Sequence, residues 1–462
     1  MIEKNGVYET EIRGISSDGN GVGRIGEMAV FVPYSAVGDV VKVRISKLKK
    51  RYAEGRIEEI IEPSKDRVKP ECGMYEKCGG CKLLHMSYAA QLRAKREIIE
   101  SAMQRIGGFE GFELDGIIGM DEPRAYRNKA VYHAQGSGKE TVFGFYAAKS
   151  HEVFSAEECL ICAKENKAII GAVKEFMGKY NLSAPENVKQ LFVRKSKHTG
   201  EVMAVISEGE RGIKNAAELA DILKEACADI ASVIIEGTDG KKRVVYGKSV
   251  IEDSINGIKF EISADSFFQV NPEMVGKLYG KALEYACLTG AENVMDVYCG
   301  IGTISLCAAQ KAKRVVGIEI VERAIEDAKR NAELNGFGNT EFYAGKAEKL
   351  VPRLIGDGFV PDTVILDPPR AGSDADTLEA IVGAGPERVV YVSCDPATLA
   401  RDLRYLCDRG YALDRAVGVD MFCGTTHVET VCSLVLRRSH IHINIDVDVE
   451  ELLQDKRGQA TY

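Results

Sequence analysis

From about residue 293 onward, short apolar runs alternate with helical patterns, and this alternation limits the fold more than any other feature of the chain. Runs at 293–298, 314–320, 340–343, 363–367, 388–393 and 428–436 read as strands, with helical periodicity between them. Strands that alternate with helices build βαβ units, so the spacing predicts an α/β domain with a doubly wound parallel sheet. Open sheets of this kind hold ligands at the carboxyl ends of their strands. Three distinctive groups are expected at that edge. Asp296 precedes a glycine turn, Asp367 precedes a proline pair, and Cys394 precedes a helix opened by Pro396.

The 462 residues allow about three domains. A hydrophobic content of 45% is ordinary for packed cores, and no apolar run is long enough to span a bilayer. The polar start, Met1-Ile-Glu-Lys-Asn-Gly6, lacks an apolar signal region, so the expected location is the cytoplasm. Residues 1–63 carry short runs at 7–12, 29–32, 39–45 and 52–61, plus a glycine-rich turn over 17–23. They predict a five-stranded OB-like all-β barrel, a common oligonucleotide-binding scaffold. Residues 64–262 form a mixed α+β region, with a helix over about 87–106 capped by Ser87. Residues 263–437 are the α/β domain. The tail, 438–462, alternates at Ile441, Ile443, Ile445 and Val447, then turns acidic, and suggests no function.

The net charge of −8 argues weakly against nucleic acid, but binding follows the field of one face. Residues 41–51 contain Lys42, Arg44, Lys47, Lys49, Lys50 and Arg51 and no acid. Such a stretch either binds a polyanion or is a solvated basic edge.

Five motifs carry chemistry. Val294-Met-Asp-Val-Tyr-Cys-Gly-Ile-Gly-Thr303 reads as a strand entering a turn where Gly300 and Gly302 let a ligand approach the backbone. Glu319, about twenty residues on, can hold ribose hydroxyls. The third glycine of a dinucleotide-binding loop is missing, and the segment resembles motif I of S-adenosylmethionine methyltransferases. Asp367-Pro-Pro-Arg370 is a rigid turn. Cys394 stands in Ser393-Cys-Asp-Pro-Ala-Thr-Leu-Ala-Arg-Asp402, and Glu429 in His427-Val-Glu429. Cys72, Cys78 and Cys81 lie within ten residues and need a fourth partner, for which Cys159 and Cys162 are candidates. A thiolate set of this kind suits either an iron–sulfur cluster or zinc.

Together with Ser266-Phe-Phe-Gln-Val-Asn271, these motifs resemble the RNA 5-methyluridine methyltransferases, specifically the 23S ribosomal RNA (uracil-5-)-methyltransferases with an iron–sulfur cluster. The N-terminal barrel resembles their RNA-binding TRAM domain. The resemblance implies a Rossmann-like methyltransferase domain, S-adenosyl-L-methionine as methyl donor, a [4Fe-4S] cluster, and 23S rRNA as partner of a monomeric enzyme. It implies Cys394 as nucleophile and Glu429 as base. It places Gln269, Tyr298, Glu319 and Asp367 around the methyl donor and the uracil, and makes Cys72, Cys78, Cys81 and Cys159 the metal ligands. It also implies that residues 93–124 pack with the C-terminal domain. Phe267 is expected to pack against an unstacked base. The chain departs from the family at Cys423, where Asp-Met-Phe is usually followed by proline.

The chemistry is consistent with these residues. A thiolate added to uracil C6 makes C5 electron-rich, and a base then removes the C5 proton. A cation such as Arg401 is expected to favour the thiolate. Transfer RNA is the alternative substrate, and a non-catalytic RNA-binding protein is the alternative class. A radical S-adenosylmethionine enzyme is disfavoured, because its Cys-x3-Cys-x2-Cys loop is absent.

Overall fold

The computed structural model describes residues 2–148 and 150–437, so the tail from 438 lies outside the described residues. At the N-terminus, strands Val7–Ile15, Gly21–Ile25, Met28–Val32, Val40–Leu48 and Tyr52–Glu62 close into a barrel. Alternating Ile12, Val30, Val32, Val41, Val43 and Ile45 fill its core. Gly21 and Gly23, expected in a turn, belong to a strand. A Cβ at Gly21 would lie 2.0 Å from Ser35 Oγ, and one at Gly23 would lie 2.6 Å from Thr10 Oγ1. These glycines serve close packing as well as turning. Three of the six basic residues pair across the hairpin with acids: Lys42 with Glu59, Arg44 with Glu58, and Lys47 with Glu54.

The middle of the chain builds a second sheet, in the order Lys242–Gly247, Ile230–Glu236, Val202–Glu208, Val188–Lys195, Lys129–Ser137, Val142–Tyr146, Val153–Ser155. Helices Glu165–Lys179 and Ala216–Ala226 bury Ile169, Val173, Phe176, Leu219 and Leu223 in its core cluster.

The C-terminal sheet runs Thr340–Ala344, Arg314–Glu319, Asn293–Val297, Thr363–Leu366, Arg388–Ser393, Glu429–Leu436, Tyr411–Val419. Its first five strands are parallel. Glu429–Leu436 is antiparallel to both neighbours, so the sheet is mixed rather than wholly parallel as expected. The strand Tyr411–Val419 had no clear sequence pattern. Asp414 and Arg415 interrupt its apolar run, and a bulge falls between Leu413 and Arg415. Ile117–Ile118 adds an eighth strand, parallel to Gly418 and Val419.

The helix Tyr88–Arg105, capped by Ser87, packs on the helix Pro396–Cys407 and reaches the same domain. Its Lys95 forms a fully buried ion pair with Asp420, which also accepts from Tyr88 Oη at 2.9 Å. No helix among the described residues is long and apolar enough to cross a membrane.

Candidate active site

Each chemical group stands where a strand of the C-terminal sheet ends. Arg388–Ser393 is almost wholly buried and stops at Cys394, because Asp395 caps the next helix by accepting from Ala397 and Thr398 N–H. Pro396 at the first helical position needs no hydrogen-bond partner there. The thiol is therefore held in a turn, half-buried, rather than sealed in the core. Thr363–Leu366 delivers Asp367 from the neighbouring strand, and Glu429 opens the strand on the other side.

These three groups share one electrostatic environment. Burial pushes the Cys394 thiol up to about 11; the Glu429 and Asp367 carboxylates add to this, and Arg370 opposes it. Glu429 is pushed up to about 8 by burial and by Asp367, again opposed by Arg370. Asp367 is pushed up to about 7 by burial, although its residue surface is not wholly covered. The expected cation is thus a different one. The Arg401 guanidinium bonds Asp402 at 2.7 Å and the Ala371 carbonyl at 3.0 Å. The relevant cation is Arg370, the last residue of the Asp-Pro-Pro-Arg turn, and its adjacency to Asp367 was the available signal.

Next to this trio lies the glycine loop. Tyr298, Gly300 and Gly302 all have positive φ, at 72°, 55° and 82°. Tyrosine there is strained, and Tyr298 Oη is held by Ser373 Oγ at 3.0 Å. A Cβ at Gly300 would meet nothing within 4 Å, so the loop backbone borders open space. Glu319 accepts from Gly300 N–H at 3.2 Å through one oxygen and from Val321 N–H at 2.9 Å through the other. This fixes the carboxylate while leaving lone pairs on each oxygen. Asp296 was expected at the cleft edge but is completely buried. It bonds the Ser305 hydroxyl through Oδ2 and is also reached by the Ser305 backbone N–H. Burial lifts it to about 7.

Gln269 is buried, and its carbonyl accepts from Asn128 Nδ2 at 3.1 Å. Its side chain also bonds Tyr279, which in turn contacts Thr303 Oγ1 at 3.1 Å. Tyr279 was not singled out in the sequence, where it is one apolar position of an amphipathic helix. Phe267 on the same loop is 70% exposed, an unusual state for a large ring. His427 is exposed, with its ring edge-on to Phe422.

The cysteine segment reaches the loop before Glu429. Lys82 and Leu83 N–H donate to the Gly424 carbonyl at 2.8 and 2.9 Å, and Gly424 N–H donates to Gln91 Oε1 at 3.1 Å. Cys423, at the position that departs from the family, is buried against Tyr88 and Met120. Cys72, Cys78, Cys81 and Cys159 lie within electrostatic reach of one another: burial pushes Cys81 up to about 12, and the other three thiols add to it. A hydrogen bond from Cys162 pulls Cys159 down. Among the described residues, no three His, Cys, Asp or Glu side chains are arranged to hold a single metal ion.

Two family models match the chain. A family model described as tRNA (Uracil-5-)-methyltransferase matches residues 87–439, and one described as TRAM domain matches residues 3–57. An uncharacterized RNA methyltransferase of Halalkalibacterium halodurans is 42% identical over 94% of this chain and 98% of its own. One from Caldanaerobacter subterraneus subsp. tengcongensis is 43% identical over 92% of this chain and 97% of its own. Among solved structures, the tRNA (uracil-54, C5)-methyltransferase of Pyrococcus abyssi, in complex with S-adenosyl-L-homocysteine, is similar with a TM-score of 0.72. It is 28% identical and covers 93% of this chain and 100% of that one.

Proposed function

The chain belongs to the tRNA (uracil-5-)-methyltransferase family, and on that premise we propose that it methylates C5 of a uridine in ribosomal RNA through a covalent bond to Cys394. The observation that carries this reading is the shared environment of Cys394, Asp367, Glu429 and Arg370.

Attack requires the thiolate. Asp367 is readily protonated near neutral pH, which removes a negative charge from beside the sulfur, whereas Glu429 must be ionised to serve as the base. Arg370 supplies the attractive field. Sulfur then bonds to C6, the C5–C6 double bond opens, and the electron pair becomes available at C5. S-adenosylmethionine, when bound, would supply a methyl group made electrophilic by its sulfonium charge; the C5 pair would bond to that methyl carbon as the methyl–sulfonium bond breaks, and S-adenosylhomocysteine would leave. Glu429 as carboxylate removes the C5 proton, the double bond re-forms, and the C6–S bond breaks to return the thiolate. The proton leaves to solvent, and no redox change occurs.

Gln269, Tyr298, Glu319 and Asp367 are the residues that would hold the donor and the base. The open backbone at Gly300 and the fixed Glu319 carboxylate fit a ribose-bearing ligand. Phe267, exposed beside them, suits stacking on a base drawn out of its helix.

Cys72, Cys78, Cys81 and Cys159 would hold a [4Fe-4S] cluster. An all-thiol donor set suits it, and a cluster takes one thiolate per iron rather than crowding four around one ion. Zinc would use the same four thiolates. The cluster's role would be to order the surface that meets RNA. Protein purified without air should be coloured by thiolate-to-iron absorption, and colourless protein with stoichiometric zinc would refute the assignment.

The closed barrel and the cysteine segment favour ribosomal RNA, with the enzyme working as a cytoplasmic monomer. Transfer RNA is the second reading, favoured by the likeness to the Pyrococcus abyssi enzyme. Mapping 5-methyluridine in total RNA from a deletion strain tests both. Loss from the large ribosomal RNA is expected, loss from transfer RNA alone would move the substrate, and no loss from either would overturn the function.

A further inference from the structure

A basic cavity of about 230 Å³ lies on the far side of the Gln269 loop, where the middle and C-terminal domains meet. Its wall includes five cations, Arg124, Arg127, Lys164, Lys195 and Lys197, and three carboxylates, Glu122, Glu165 and Glu273. Pairing removes much of that charge. Arg124 bonds Glu71 at 2.6 Å, Lys195 bonds Glu165, and Glu273 lies 3.6 Å from Lys277. Arg127, Lys164 and Lys197 have no ion pair of their own among the described residues, although Lys164 also acts on the Glu165 carboxylate and Arg127 Nε donates to the Lys129 carbonyl at 2.9 Å.

A positive cavity on a chain of net charge −8 is a local feature, and its field adds to that of nearby dipoles. The helix Glu165–Lys179 starts here, its first turn already occupied by the Glu165 carboxylate, which accepts from its own backbone N–H, and by Asn166 N–H, which donates to the Ala163 carbonyl at 3.2 Å. The space is smaller and more charged than pockets that enclose organic ligands. It suits one phosphodiester group with its flanking sugars outside.

Its position says whose phosphate this is. Asn128 in the wall donates from its backbone to the Val270 carbonyl at 2.8 Å and from Nδ2 to the Gln269 carbonyl at 3.1 Å. The cavity is thus tied to the loop that presents Phe267. On its other side, Arg127 N–H donates to the Ile161 carbonyl at 2.8 Å, between Cys159 and Cys162.

We propose that this cavity, through Lys164, Lys197 and Arg127, grips a backbone phosphate of the RNA strand whose uridine enters the active site. The proposal rests on the RNA reading above. It assigns these residues to positioning the strand, with no part in the chemistry.

The test measures the affinity of the full-length protein for an RNA hairpin with uridines in its loop, across roughly 50 to 200 mM salt. Each phosphate contact on a single strand contributes about 0.7 to the slope of log affinity against log salt. The Lys164→Ala/Lys197→Ala double variant should therefore bind more weakly, with a slope shallower by up to roughly 0.7. Lys311→Ala/Lys329→Ala removes the same charge elsewhere and should leave the slope unchanged. An unaltered slope in the first variant, or an equal loss in the second, overturns the site. Covalent capture of 5-fluorouridine RNA, measured in parallel at saturating RNA, separates the two claims. If the double variant shows the predicted slope difference but the wild-type protein captures no RNA, the catalytic reading fails and the phosphate site stands.

Discussion

Replacing Glu429 by glutamine should stabilise the protein while it stops turnover. In the folded chain this carboxyl is raised from 4.5 to about 8, first by burial and then by Asp367. A raised value means that folding favours the protonated form. That contribution is fully present below about pH 4.5 and is lost as the pH rises towards 8. At pH 7 the unfolded chain is ionised while the folded one is still mostly protonated. The cost is then about 2.5 pH units at about 1.4 kcal/mol each, or roughly 3 kcal/mol. Glutamine has nearly the same shape and does not titrate, so the penalty disappears. For a domain of this size, roughly 3 kcal/mol corresponds to a melting point higher by roughly 6 to 12 °C. The assay is thermal unfolding of both proteins at pH 5 and pH 8. Titrations common to both cancel in the difference, which should be small at pH 5 and large at pH 8. A difference that does not grow with pH, or a variant less stable at pH 8, would refute the reasoning. The same variant should accumulate an RNA adduct on ordinary substrate, because the C5 proton can no longer be removed.

Three further outcomes follow from the same geometry. The kcat/KM should rise with pH and still be rising at pH 8, because the free protein must ionise both Glu429 and Cys394, and both are raised; a plateau below pH 7 would contradict this. Arg370→Met removes the cation that favours the thiolate, so alkylation of Cys394 by iodoacetamide should need a higher pH, whereas Arg401→Met should leave that profile in place. Lys95→Met leaves the buried Asp420 carboxylate unpaired and should cost about 3 to 5 kcal/mol in chemical denaturation, against a much smaller cost for Lys95→Met with Asp420→Leu.

Some of this was legible in the sequence because local chemistry dictated it. The Asp-x-Tyr-x-Gly-x-Gly turn needs glycines where φ is positive, and Pro396 with Asp395 announces the helix that stops the strand at Cys394. The five-strand barrel followed from alternation. Other features depend on pairing between distant segments. Gly21 and Gly23 have the composition of a turn, and only the approach of Ser35 and Thr10 explains them as strand. The strand Tyr411–Val419 is defined by its partner Glu429–Leu436 more than by its own residues. Arg401 was the wrong cation because Asp402, its chain neighbour, takes its charge, which no spacing rule reveals. The basic cavity collects residues from Glu122 to Glu273 and has no signature in any one stretch.

The account stands on a carbon–sulfur bond between Cys394 and C6 of a uracil. RNA carrying 5-fluorouridine blocks the last proton removal, so incubation with S-adenosylmethionine should yield a protein–RNA adduct that survives denaturation. Peptide mass mapping should place the link on Cys394, and Cys394→Ala should form none. An adduct that persists in that variant, or a link mapped to another residue, would contradict the assignment of the nucleophile.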